Sequence, residues 1–509
     1  MKLLDWLEIP GWDKIAGTEA GSPLLVSGTT QALTAALAAK MAEDGRRVLV
    51  VAEHDIRAAK MADDVRQWTG EDCPFLPGGE IDLTRAAGSQ ESSWRRLAAL
   101  STIGGRRGQV LVTSSEALMQ RMGRPEPFRQ ACFTLQPGDR MPMNELVNRL
   151  GRMGYERVGM VEGKGQFALR GSILDLYPPA GTEGIRIEFF DDEVDSLRTF
   201  DCISQRSQER RMEVRITPAS EAMLTPEEGP AAAARMRKAL REMAEEPEQE
   251  SILRPDLPPL PETEEDEVLF DTEIAPKVRE NAFKERESSE IDRRRARLMA
   301  DADSVEAGVP FRRMRSWIPV LTESSASLLE WFRPERILLW EPDRIRNRTM
   351  ERLKGFGEDL QNAVARGEAV PAQERLLRSW EESLEEMTAC PMIAATEIPL
   401  GLGGIKPVET MDLEATGLQG YQGQIRPLKN DLAAWREKAF RVMLLSGGEA
   451  RGRRLAENLA ELDEKAIYLE KTEQETVTTA AAGQSGKDTG AKARRNPERT
   501  GIPLILPAR

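Results

Sequence analysis

Residues 150–210 read LGRMGYERVGMVEGKGQFALRGSILDLYPPAGTEGIRIEFFDDEVDSLRTFDCISQRSQER. Within them the run Ile185-Arg186-Ile187-Glu188-Phe189-Phe190 is the most telling. Side chains alternate across a strand, so Ile185, Ile187 and Phe189 point one way and Arg186, Glu188 and Phe190 the other. The first face suits a core. The second carries an arginine and an aromatic ring on either side of a glutamate, the materials of a protein-binding hot spot. Turn signals recur at Gly163-Lys164-Gly165, Arg170-Gly171, Pro178-Pro179 and Asp191-Asp192. The pattern predicts a β-rich module within 131–215, with a hairpin closing at Asp191-Asp192.

The flanks read differently. In residues 1–130, apolar runs at 23–28, 47–52 and 109–113 alternate with helical stretches at 31–43, 56–68, 91–103 and from Ser115. Such alternation implies a parallel sheet. Residues 216–400 return to the same pattern, with a helix at 231–246, a buried strand at 336–340 and helical sequence at 371–389. Between them, 247–273 is acidic and proline-rich and reads as an exposed loop. Residues 277–302 form a charged helical stretch containing Arg293-Arg294-Arg295, more in keeping with a solvated helix face than with a phosphate contact. Residues 401–470 repeat the α/β pattern in small form, and 471–509 read as a disordered tail.

Composition narrows the function. The chain has 509 residues and a net charge of −14, which disfavours a broadly basic nucleic-acid surface. No window supplies the roughly 18 apolar residues of a membrane span, and the N-terminus lacks a signal-peptide pattern. Cys73, Cys132, Cys202 and Cys390 are far apart and fit free thiols in a reducing cytoplasm. His54 is the single histidine, so a histidine-rich metal site cannot be built. Following the run Val48–Val51, it is expected to end a strand or cap a helix.

A nucleotide-binding sheet would place GxxxxGK[ST] after its first strand. Here the turn is Ser27-Gly28-Thr29-Thr30-Gln31-Ala32-Leu33-Thr34, without the lysine or the second glycine. No acidic pair ends an apolar strand in the way needed to hold magnesium. The expectation is an architectural domain without cofactor, catalytic residue or metal, leaving at most a weak anion site near Gly28.

The order of motifs resembles a known family. Gly154-Tyr155-Glu156-Arg157-Val158, Phe167 to Asp175, Arg186 to Phe190, Asp192-Glu193, and Phe200-Asp201 to Gln205-Arg206-Ser207 resemble the UvrB-homology module in the N-terminal region of bacterial transcription-repair coupling factors (Mfd). Phe75 to Glu80, Gly308 to Phe311 and Trp317-Ile318-Pro319 resemble the flanking segments. The resemblance covers roughly 1–470. It implies an α/β multidomain fold: a degenerate helicase-like parallel-sheet domain interrupted by the β-rich module and followed by a small α/β domain.

The resemblance also implies a function, that of a non-enzymatic adaptor of transcription-coupled nucleotide-excision repair, cytoplasmic and docking UvrA. Arg170, Arg186 and Phe190 match the positions implicated in that contact. DNA contact is expected to be weak at most, no membrane is engaged, and RNA polymerase is not expected to bind this chain alone. The family's translocase and polymerase-binding parts have no counterpart in the sequence. The chain thus looks like an N-terminal portion or a shortened relative, with its docking face constitutively open. Charge reversal at Arg186 is expected to abolish docking while leaving the fold intact. The alternatives are a divergent helicase fragment, which would bind nucleotide, a UvrB-like DNA-binding protein, or a DNA binder working through Arg293 to Arg297.

Overall fold

The computed structural model describes residue 4, residues 7–245 other than 80, 82, 84–89 and 106, residues 291–468 other than 400, 416, 419–420, 422, 441, 447 and 465, and residues 504–507. The acidic stretch 247–273 and most of 471–509 lie outside the described residues.

The first strands are β1 (Leu24–Ser27), β2 (Val48–Ala52), β3 (Phe75–Leu76) and β4 (Val110–Ser114). Then come β5 (Phe133–Leu135), β6 (Glu156–Arg157), β7 (Gln166–Arg170), β8 (Ile173–Leu176), β9 (Gly184–Phe190), β10 (Glu193–Phe200), β11 (Ser207–Arg211) and β12 (Val214–Ile216). The later strands are β13 (Arg336–Trp340), β14 (Met392–Ala395), β15 (Glu409–Asp412), β16 (Met443–Ser446), β17 (Ile467–Tyr468) and β18 (Leu504–Pro507).

The large sheet runs β15-β1-β14-β13-β2-β4-β3, and every pairing in it is parallel. Its inner strands are near-continuous apolar runs, buried at every position in β2, β4 and β13, because helices cover both faces. Gln31–Glu43 and Asp55–Thr69 pack on one face, Glu91–Thr102 and Trp380–Met387 contribute to the core on the other. His54 caps Asp55–Thr69, its Nδ1 accepting from the Arg57 amide at 3.3 Å, as its position after β2 suggested.

The β-rich module is a second sheet, β11-β10-β9-β8-β7-β6, joined to its surroundings by the ribbon β12-β5. The turn falls at Asp191-Asp192, with Glu193 opposite Phe190 and Asp191 in the left-handed region at φ 57°. Phe167, Leu174, Ile187, Phe189, Val194 and Leu197 share one apolar core with Leu49, Leu111, Ile337 and Met392 of the large sheet. Module and sheet domain are therefore one packed body.

Trp94, on the helix Glu91–Thr102, seals that junction against Gly165. Gly165 has φ +76°, and a Cβ there would overlap the Trp94 ring. Gly165→Ala should therefore cost about 1–3 kcal/mol, the usual penalty for holding a side chain in a strained conformation. A thermal melt unchanged from wild type would contradict this.

Two stretches depart from the sequence reading. Glu409–Asp412, assigned above to the small C-terminal unit, is the outermost strand of the large sheet beside β1. Its sequence, ETMD, lacks the apolar run that marks an inner strand, because it is an exposed edge. Leu504–Pro507, placed in the disordered tail, is the middle strand of a small parallel sheet β16-β18-β17. Its apolar run Leu504-Ile505-Leu506 is short and lies far along the chain from its partners.

Candidate partner-binding face

The strand register of the module fixes what stands on its outer face. Directly opposed residues in antiparallel strands share a face. Ala168, Asp175, Arg186, Arg198 and Arg210 line up across β7 to β11, and Arg170, Ile173, Glu188 and Ser196 form the next row. The pattern along β9 is the one the alternation predicted: Ile185, Ile187 and Phe189 are buried, Arg186 and Glu188 half-buried, and Phe190 exposed.

Phe190 stands at the hairpin end of this face with 78% of its surface exposed, against 6% for its neighbour Phe189. Arg170, across β8 from that strand, is exposed, and its Nη2 donates to the Gly159 carbonyl at 3.2 Å. Arg186 has a different environment. Its Nε and Nη2 donate to the two oxygens of Asp175 at 2.7 and 2.9 Å, its Nη1 donates to the Ser207 hydroxyl and the Gln205 carbonyl, and the guanidinium lies 5.1 Å from the Phe200 ring centroid. The Asp175 side chain is 2% exposed. The hydrogen bonds to Asp175 hold the Arg186 guanidinium above its usual pKa. Charge reversal at Arg186 would set a second carboxylate against a buried one, which argues against the expectation that such a variant keeps its fold. Of the three residues named from the sequence, Phe190 and Arg170 offer free surface, while Arg186 braces the sheet beneath them.

Two further arginines belong to this face. Arg198 faces Arg186 on one side and Arg210 on the other. Arg198 is half-buried, and its Nε is buried without a hydrogen-bond partner. Arg210 is exposed. The sequence reading overlooked both, for a reason of register. Counting back from the turn pairs Arg186 with Leu197, whereas a bulge between Val194 and Ser196 shifts the match to Arg198.

The turn after β1 is filled from within the chain. Leu413 donates its amide to the Ser27 carbonyl at 3.0 Å, and Ala415 donates to the Gly28 carbonyl at 2.8 Å. A Cβ on Gly28 would overlap the Asp412 carboxylate. Thr30 caps the following helix by accepting from the Leu33 amide at 3.2 Å. An acidic side chain thus lies against the turn that would have to receive an anion. Near the carboxyl ends of β2 and β4, Arg348 donates Nε and Nη2 to Glu116 at 3.1 and 2.9 Å, and Asp55 accepts from the Gly78 amide and the Ser114 hydroxyl. Among the described residues, no cluster of three or more His, Cys, Asp or Glu is suited to a metal ion, and no helix is long and apolar enough to cross a membrane. In the basic run 293–297, Arg294 pairs with Glu368 at 3.6 Å.

Comparison with known proteins agrees with the resemblance read from the sequence. Residues 133–221 match the family of the UvrB interaction domain. The chain is similar to the transcription-repair-coupling factor of Bacillus subtilis, with 23% identity over 450 residues, covering 88% of this chain and 35% of the relative. The corresponding protein of Staphylococcus haemolyticus is 30% identical over 205 residues, 40% of this chain and 18% of the relative. That of Haemophilus influenzae is 29% identical over 184 residues, 36% of this chain and 16% of the relative. The chain spans about a third or less of the length of these relatives.

Proposed function

We propose that this chain, which carries a UvrB interaction domain in a framework similar to transcription-repair-coupling factors, is a non-enzymatic adaptor in transcription-coupled nucleotide-excision repair that docks UvrA through the outer face of its β-rich module. The observation that carries the reading is Phe190, a large ring left 78% exposed at the end of a strand whose alternate residues are buried. An exposed aromatic flanked by arginine is the anchor type that dominates protein interfaces. Arg170 adds a cation at the same face, and Arg186 holds the strands in register. In this reading the protein works in the cytoplasm, engages DNA weakly at most, and needs other parts for translocation or for polymerase contact.

The non-enzymatic reading draws on the Ser27-Gly28-Thr29-Thr30 turn, which has no phosphate-binding lysine and is covered by Asp412 to Ala415. Phosphate approaching there would meet the Asp412 carboxylate.

The test is a calorimetric titration of UvrA with the wild-type chain and with Phe190→Ala. Truncation of an interface anchor should weaken binding by about 2 kcal/mol or more, roughly 30-fold. Because Phe190 makes little core contact, the melting temperature of the free chain should not change. Equal affinity of the two proteins would refute the docking face.

A further inference from the structure

The outer face carries an imbalance of charge that the fold itself does not need. Arg186, Arg198 and Arg210 stand directly opposite one another on three adjacent strands. Like charges in that arrangement repel. Asp175 answers the first of them, with both oxygens engaged by Arg186. Glu188, the other acid in these rows, accepts from the Ser196 hydroxyl at 2.7 Å. Arg198 and Arg210 have no ion pair among the described residues, and the Arg198 Nε is buried without a hydrogen-bond partner.

We infer that Arg198 and Arg210 form a receptor slot for a carboxylate side chain, aspartate or glutamate, presented by the protein partner. The inference rests on the docking reading above and adds the chemistry of what docks. A carboxylate entering between the two guanidiniums would give each a charge-assisted hydrogen bond, satisfy the buried Nε, and relieve the repulsion along the row. A nucleic-acid phosphate is the less suitable occupant. The chain's net charge of −14 opposes a polyanion at range, whereas one acidic side chain on a folded partner does not carry that cost. The exposed Phe190 lies on the same face, so an acidic residue beside an apolar pocket is the complementary surface.

The experiment compares UvrA titrations of the wild-type chain, Arg198→Ala, Arg210→Ala, Arg198→Lys, and Phe190→Ala, at low and at moderate salt, with a short DNA duplex as a second probe. Arg198→Ala and Arg210→Ala should each weaken UvrA binding tenfold or more and flatten its salt dependence, and Arg198→Lys should recover part of the loss. Phe190→Ala should weaken binding while keeping the wild-type salt dependence. The free Arg210→Ala chain should melt at the wild-type temperature or above it, because a repulsive neighbour is gone. If both arginine variants bind UvrA like wild type while Phe190→Ala does not, the slot is wrong and the docking face stands. If Phe190→Ala also binds normally, the docking reading fails with it. DNA binding that is lost in both arginine variants, with UvrA binding intact, would assign the slot to phosphate and overturn the inference.

Discussion

Glu221→Gln should lower the stability of the free chain by about 3–5 kcal/mol, the usual cost of removing one partner from a buried ion pair. Glu221 accepts from Arg96 Nε at 2.6 Å and Nη2 at 3.0 Å, and lies 3.5 Å from Arg315 Nε. Side-chain exposure is 1% at Arg96 and 4% at Glu221. Arg96 also donates to the Pro77 carbonyl, and Arg315 Nη2 to that of Gly78, so two guanidiniums depend on one carboxylate. Burial alone would push the Glu221 carboxyl up, but Arg96 and Arg315 outweigh it and hold the group below its ordinary value of 4.5. Burial lowers Arg315 to about 10, with Arg96 adding to the shift. A carboxylate whose folded pKa is depressed contributes stability above its unfolded pKa and loses it as pH falls through the folded one. Wild type should therefore lose stability below about pH 4.5, and the Gln variant should show a shallower fall there. Urea melts at pH 7 and pH 4 measure both effects. An unchanged midpoint for Glu221→Gln at pH 7 would remove the triad from the account.

Arg186→Glu should destabilise the module by about 3 kcal/mol or more, toward the low end of the range for buried pairs because the arginine keeps an edge to solvent. Two carboxylates would then share one site on adjacent strands, and the Ser207 and Gln205 contacts would go with the guanidinium. Arg186→Lys should lose less, since charge survives while the two-pronged contact with Asp175 does not. Limited proteolysis within 133–221 separates this outcome from a simple surface effect. If Arg186→Glu resists protease and melts like wild type yet fails to bind UvrA, the arginine touches the partner directly and its bracing role is wrong.

Much of the architecture could be read from short-range pattern. The strands at 48–52, 110–114 and 336–340 are buried on both faces of a parallel sheet, so their sequences are mainly apolar, Thr113, Ser114 and Arg336 apart, and easily seen. The alternation along β9 revealed its two faces for the same kind of reason. What escaped depends on partners distant in sequence. Exposed β15 has no apolar signature, and β18 completes a sheet whose other members lie well before it in the chain. At the candidate site, Phe190 was legible because exposure follows from alternation. The pairing of Arg186 with Asp175 was not, since it needs the register of β8 against β9. Arg198 was hidden by the bulge between Val194 and Ser196, and Arg210 by a second register shift between Arg198 and Phe200.

The ring of Trp94 lying over Gly165 has a consequence beyond local stability. A joint glued by one shared core leaves no swivel between the knob and its base. Whatever the module grips must take its heading from the larger sheet, as a compass needle soldered to its case points wherever the case is turned. On the proposed docking function, a partner held by the module would be steered by motions of the whole assembly, and loosening that joint would spoil aim before it spoiled grip.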